Sequence, residues 1–313
     1  MTLKMMKAIQ VYEYGGPEVL KLESIQCPDP QEGEVLIRVF AAGVLPIDWK
    51  IRKGMTKNIF TVQFPYIPGT SFSGVVEKVG RDVTGFQEGQ FVFGRAKGTY
   101  AEYTIASADN LIQMPEKLTF TEAATITGGA ATAYNALFNE GELKTGQKVL
   151  IHGAAGGVGS FATQFARWKG ANVIGTTSTS NIEFVHSLGA EKVIDYTCTH
   201  FDNVVKDIDF VLDTVGGDVL NRSYSVIKKG GTLISLLEQP SLDKMKKLGI
   251  NGKRNSGFAF NEDLKIIAEL IANKKIKAVV DNIYPLTNVH QAHRKSETGH
   301  GRGRIVLQIS DSM

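Results

Sequence analysis

The sequence predicts an α/β protein with two sheets of different kinds, a mostly antiparallel β region and a doubly wound parallel sheet of six strands. Three observations predict it. Short β-type runs broken by Gly and Pro fill the stretch from Lys7 to about Leu118. Strands alternating with helical runs fill the stretch from about Ala123 to Phe260. Within that second stretch, an apolar strand at Val149-Leu150-Ile151 runs directly into glycines that open a helix.

The first region is read from Glu34-Val35-Leu36-Ile37-Arg38-Val39, Gly74-Val75-Val76-Glu77-Lys78-Val79 and Gln90-Phe91-Val92-Phe93. The parallel sheet is read from Val149-Leu150-Ile151, Asn172-Val173-Ile174, Lys192-Val193-Ile194, Phe210-Val211-Leu212, Thr232-Leu233-Ile234 and Gly257-Phe258-Ala259-Phe260. Such short apolar runs suit a sheet covered on both faces. After Asn261 a helix is predicted with Leu264, Ile267, Leu270 and Ile271 on one face, followed by strands at Asp281-Asn282-Ile283-Tyr284 and Arg304-Ile305-Val306-Leu307. This tail is expected to rejoin the first region. The expected domains are then 1–123 with 262–313, and 124–261 as an insertion. No internal repeat of fixed period is visible.

Composition narrows the function. A chain of 313 residues, 42% hydrophobic and 21% charged, can bury two cores, which argues against disorder. The formal net charge of +3 is small, and Lys244-Met245-Lys246-Lys247 reads as a solvated run, so neither nucleic acid nor an acidic membrane is expected as a partner. Cys27 and Cys198 are far apart and outside any C-x-x-C, which encodes neither a disulfide framework nor a structural zinc site. No apolar run reaches the roughly 18 residues of a membrane span, and the N-terminus lacks an apolar signal core, so a cytoplasmic protein is expected. Residues 1–5 precede a natural-looking start at Met6 and are expected to carry no function.

The strongest local signal is Ile151-His152-Gly153-Ala154-Ala155-Gly156-Gly157-Val158-Gly159, in which Ala154, Gly156 and Gly159 stand where G-x-G-x-x-G would. The helix that follows carries Val158, Phe161, Ala162, Phe165 and Ala166 at one-face spacing, with Gly170 as its C-terminal cap. Glycines admit a diphosphate close to the backbone, and a helix N-terminus offers it free N–H groups and a positive dipole end. The expected ligand is a dinucleotide held by Ala155, Gly156, Gly157, Val158 and Gly159. At the end of the second parallel strand, Gly175-Thr176-Thr177-Ser178-Thr179-Ser180 lacks the carboxylate that holds NAD ribose hydroxyls. NADP(H) is therefore favoured over NAD(H), with Thr177, Ser178 and the Tyr196 hydroxyl at the adenosine end. Against this, Ser180-Asn181-Ile182-Glu183 reads as a capping box, no Lys or Arg stands in the segment, and Glu183 would oppose a phosphate.

Several further segments occur in one order: Ala41-Ala42-Gly43-Val44-Leu45-Pro46-Ile47-Asp48-Trp49-Lys50, Phe64-Pro65-Tyr66-Ile67-Pro68-Gly69, Gly98-Thr99-Tyr100-Ala101-Glu102-Tyr103, Thr132-Ala133-Tyr134, Asp213-Thr214-Val215-Gly216-Gly217 and Gly299-His300-Gly301-Arg302-Gly303-Arg304. Together with the glycine turn, they make the chain resemble, from Met6 to Leu307, the quinone oxidoreductase branch of the medium-chain dehydrogenase/reductase superfamily, including zeta-crystallin and plant enone and alkenal reductases. The resemblance implies a GroES-like catalytic domain with an inserted Rossmann domain and the nicotinamide between them. It also implies that Thr132, Val215 and Ser235 lie near the nicotinamide, that Pro46 is a cofactor-binding residue, that Arg302 is a basic residue near the cofactor, and that the chain is a homodimer pairing its last Rossmann strand, read as 257–260.

Zinc-dependent relatives carry a Cys where this chain has Leu45 and Gly-His-Glu where it has Gly69-Thr70-Ser71, so no zinc is expected. Without a Lewis acid the fitting acceptor is conjugated, a quinone or an α,β-unsaturated carbonyl, because charge then spreads to a distant oxygen. By the family pattern Asn-Pro-x-Asp-x-Lys, Lys50 is the candidate to polarise the substrate oxygen or hold the ribose, and Asp48 to orient Lys50 or the loop; the alternative is a surface pair at the start of a short helix. Leu45 for the usual Asn and Ser71 for a frequent Asp remove polar contacts. A dinucleotide-binding protein with little turnover and a zinc alcohol dehydrogenase are the competing readings.

Overall fold

The computed structural model describes residues 4–59, 61–255 and 259–310. Its organising element is the strand Glu34–Val44, which is buried along nearly its whole length. One edge pairs antiparallel with Ser71–Val79, while the other is shared between Tyr103–Ser107 and the tail strand Arg304–Gln308. The tail thus closes onto the first sheet, as expected, and the strand Val280–Pro285 lies outside it in parallel.

The second sheet is parallel throughout, with spatial order Lys192–Asp195, Asn172–Thr177, Lys148–Ile151, Ile208–Asp213, Ile227–Ser235, Asn251–Arg254. Strand order reverses between Lys148–Ile151 and Ile208–Asp213, and such a switch point opens a crevice at the C-terminal strand ends. The helix Gly159–Trp168 buries Phe161, Ala162, Phe165 and Ala166 on one face of this sheet, joined by Leu264, Ile267 and Ile271 of Asn261–Ala272. Each large apolar side chain so covered is worth about 2 kcal/mol. The opposite face is covered through Leu220, Tyr224 and Met245.

The sixth strand corrects the sequence reading. It is Asn251–Arg254, not 257–260: Ala259 and Phe260 lead into the helix that starts at Asn261, while Gly257 and Phe258 lie outside the described residues. An edge strand with one neighbour needs no apolar run, so Asn-Gly-Lys-Arg carries no strand pattern. The edge expected to meet a second copy moves with it.

Candidate active site

The glycine turn sits at the switch point. Gly153 takes φ +65°, and a Cβ at position 159 would lie 2.1 Å from the Gly153 carbonyl oxygen, so this turn tolerates no side chain there. His152 braces it from below, its Nδ1 3.2 Å from Thr176 Oγ1 and its Nε2 3.0 Å from Ser223 Oγ. Burial pushes the imidazole down to about 3, so His152 is a neutral strut. A pocket of about 110 Å³ opens beside the turn between Pro46, Gly156, Gly157, Gly301, Gly303 and Arg304.

Arg304 is the site residue that sequence reasoning missed. It begins an apolar strand, and an Arg heading a buried run was the available signal. Its side chain is buried against the turn, where a Cβ on Gly157 would lie 2.6 Å from both its Cδ and its Nη1. A Cβ on Gly128, in the π-helical turn Ile126–Ala130, would meet its Nη2 at 3.0 Å. Nε and Nη2 find no hydrogen-bond partner among the described residues. Burial lowers its pKa to about 10, opposed by Asp48 and Tyr100, which leaves a cation at neutral pH. A buried guanidinium with free N–H groups beside glycines is a cradle for an anion.

Across the pocket, Pro46 opens the helix Pro46–Arg52. Asp48 caps it: Oδ2 accepts the Leu45 N–H at 2.8 Å and the Tyr100 hydroxyl at 2.9 Å. Asp48 is buried, and that burial raises its pKa to about 6 despite those bonds and the field of Arg304. Lys50 lies on the partly exposed side, its ammonium 5.6 Å from the Trp49 ring centre. The two residues therefore diverge, Asp48 into the core and Lys50 to a partly exposed position; the reading of a surface pair does not describe Asp48.

The positions that hold zinc in relatives are filled otherwise. Leu45 packs onto Gly128, where a Cβ would lie 2.4 Å from its Cδ2. The Ser71 hydroxyl donates to the Ala124 carbonyl at 2.7 Å and lies 2.5 Å from Thr127 Oγ1. Leu45, Thr70 and Ser71 offer no donor set fit for zinc, and among the described residues no three His, Cys, Asp or Glu gather to hold a metal.

At the ends of the parallel strands, Asp213 accepts the N–H groups of Val215 and Gly216 and the Ser235 hydroxyl, which brings Val215 and Ser235 together. Thr132 donates its hydroxyl to the Gly128 carbonyl at 2.8 Å. At the adenosine end, Thr177 is buried, and its carbonyl accepts the N–H of Tyr196, whose ring is exposed. Ser180 does not start the next helix. Asn181 is the N-cap of Ile182–Ser187, after a 3₁₀ turn at Thr179–Asn181, without a side-chain cap bond. Nor is the segment free of cations: Arg302 reaches it from the tail, donating through Nε to Asn181 Oδ1 at 2.7 Å and through Nη2 to the Ser180 carbonyl at 2.6 Å.

Residues 31–116 match the alcohol dehydrogenase GroES-like domain, and residues 188–307 match the family described as zinc-binding dehydrogenase. The chain is 35% identical to the quinone oxidoreductase of Pongo abelii, covering 98% of each. The chain belongs to the quinone oxidoreductase branch of the medium-chain dehydrogenase/reductase superfamily. Within this family it is also 34% identical to the 2-methylene-furan-3-one reductase of Solanum lycopersicum, over 96% of this chain and 79% of that one. Mycobacterial Rv1454c complexed with NADPH superposes with a TM-score of 0.88 at 30% identity, covering 97% of this chain and all of that one. The antiparallel sheet is thus the GroES-like part of an oxidoreductase and the parallel sheet its Rossmann part, and the zinc of the family description finds no fitting ligands at Leu45, Thr70 and Ser71.

Proposed function

We propose that this oxidoreductase uses NADP(H) in preference to NAD(H) and reduces a quinone or an α,β-unsaturated carbonyl without a metal. The observation that supports the reading is the glycine turn at the switch point, faced by buried Arg304, whose Nε and Nη2 find no hydrogen-bond partner among the described residues. Bound there, the coenzyme supplies the hydride. The N–H groups of Ala155 to Gly159 and the Arg304 guanidinium hold its diphosphate; Pro46, Thr132, Val215 and Ser235 wall the nicotinamide; Thr177, Ser178 and Tyr196 border the adenosine. Lys50 polarises the acceptor oxygen as it gains charge, and the apolar wall of Leu45 excludes water from that side. A conjugated acceptor suits a site whose residues do not fit a Lewis acid, since its developing charge is delocalised and one cation suffices. The quinone oxidoreductase of Pongo abelii and the furanone reductase of Solanum lycopersicum carry names of that chemistry.

The test is NADPH oxidation by the purified protein against quinones and alkenals. Turnover is expected, unchanged by a chelator, with Lys50→Ala lowering kcat/KM by about tenfold or more. Activity lost on chelation sinks the metal-free reading, and an unchanged Lys50→Ala rate removes Lys50. A coenzyme-binding protein with little turnover is the second reading, favoured by Leu45, which puts an apolar side chain on Gly128 where relatives carry Asn. Tight coenzyme binding with no turnover across the panel selects it.

A further inference from the structure

The helix Pro46–Arg52, which carries Lys50, is fastened at its C-terminal end by one carboxylate from the tail. Glu297 ends the helix Val289–Glu297 and takes two consecutive cations, Oε1 pairing with Arg52 Nη2 and Oε2 accepting from Lys53 Nζ at 2.6 Å. The Arg52 side chain is 0% exposed, and its Nε and Nη1 find no hydrogen-bond partner among the described residues. Among those residues Glu297 is the one carboxylate that bonds it. A single charge thus holds a buried guanidinium in place.

Stability is a poor reason for such a pair. Desolvating two charges offsets most of their attraction, and apolar side chains of similar volume often serve as well. What the pair adds is direction, since a guanidinium meets a carboxylate oxygen along a defined line. Two routes carry that direction to Lys50. Arg52 shares the helix of Lys50 and lies within one turn of it. Lys53, held by Glu297, stands 5.3 Å from the Trp49 ring centre, and the Lys50 ammonium stands 5.6 Å from the same centre. The Trp49 Nε1 is buried, so the ring between the two lysines is itself rooted in the core. On its other side Glu297 leads straight into the turn 298–303, where Gly303 N–H donates to the Ala155 carbonyl at 2.8 Å. One residue therefore connects the helix of Lys50 to the segment that touches the glycine turn.

We propose that Glu297 is a positioning residue, which by fixing Arg52 and Lys53 sets where the Lys50 ammonium stands relative to the glycine turn and hence to the acceptor oxygen. The assignment rests on the reading of Lys50 above. Misplacing a catalytic group by about 1 Å is enough to slow a reaction severely, so the expected loss is in turnover rather than in coenzyme binding.

A double-mutant cycle in the whole protein tests it, with NADPH and a quinone as substrates. E297Q should lower kcat about fivefold or more while NADPH affinity, read by fluorescence titration, moves by less than about threefold, and E297D should recover most of the loss. In a K50A background E297Q should cost less than about twofold, because the group it positions is gone. In a W168F background Trp49 is the remaining tryptophan, and its quenching by acrylamide should rise in E297Q and return in E297D. Equal kcat losses with and without Lys50, or Trp49 quenching that does not move, overturn the role of Glu297 and leave Lys50 standing. If E297Q does not fold, K53M replaces it in the cycle: this position is exposed, the buried pair stays intact, and a kcat loss of about threefold that vanishes in K50A is expected. No loss in K53M then overturns the proposal. A K50A protein with wild-type kcat removes the reading of Lys50 and this one with it.

Discussion

Asp48 carries a conflict that its neighbours resolve in part. Burial favours the neutral acid, while the Leu45 N–H, the Tyr100 hydroxyl and the charge of Arg304 favour the carboxylate. The balance is a pKa of about 6 against an ordinary 3.8. Between those values the folded protein holds a proton that the unfolded chain releases, so stability falls as pH rises through this window and is flat above it. Asp48→Asn removes the titration. The difference in unfolding free energy between wild type and Asp48→Asn should therefore shift in the variant's favour by about 2 kcal/mol from pH 4 to pH 7, read by denaturant unfolding at a series of pH values. A difference that stays level across the series means Asp48 is already ionised at pH 4 in the fold.

The strand, turn and helix around residues 148–168 form the element on which the site is built, and Gly159 is its tightest point. A methyl there would stand 2.1 Å from the Gly153 oxygen and 2.8 Å from the Ala154 Cα, both backbone atoms that cannot swing aside. Gly159→Ala should cost about 2 kcal/mol of stability and weaken coenzyme binding about tenfold or more, seen by thermal melting and fluorescence titration. Wild-type affinity in that variant would separate the turn from the coenzyme. This element was legible because strand, glycines and helix are each written in consecutive residues. The edge strand Asn251–Arg254 was not, because its four residues are exposed or only partly buried and carry no apolar run. The capping box at Ser180 failed for a related reason: the 3₁₀ turn at Thr179–Asn181 moves the helix start by one residue, and the Ser180 carbonyl is taken by an arginine 122 positions away. Arg302 and Arg304 meet the turn only after the tail folds back, and no local pattern encodes such a meeting.

At the scale of the molecule, the two sheets join through a seam that holds a buried guanidinium short of hydrogen-bond partners, with chiefly the field of Asp48 to offset its charge. Arg304 starts a strand of the GroES-like sheet but lies against Gly157 of the Rossmann turn and Gly128 of the linking helical segment, with Nε and Nη2 unpartnered among the described residues. A buried cation of this kind lowers the stability of the free protein and is satisfied when an anion arrives, so the same residue that weakens the empty seam would tighten the loaded one. Arg304→Met fills similar volume without the charge. Its free form should melt at or above the wild-type temperature, while the rise in Tm produced by saturating NADPH should shrink, matching a loss of affinity of about tenfold or more. Differential scanning fluorimetry with and without NADPH reads both quantities at once. If Arg304→Met melts well below the wild type when free yet keeps the full coenzyme-induced rise, Arg304 is a structural strut of the seam, and the diphosphate is held by the turn alone.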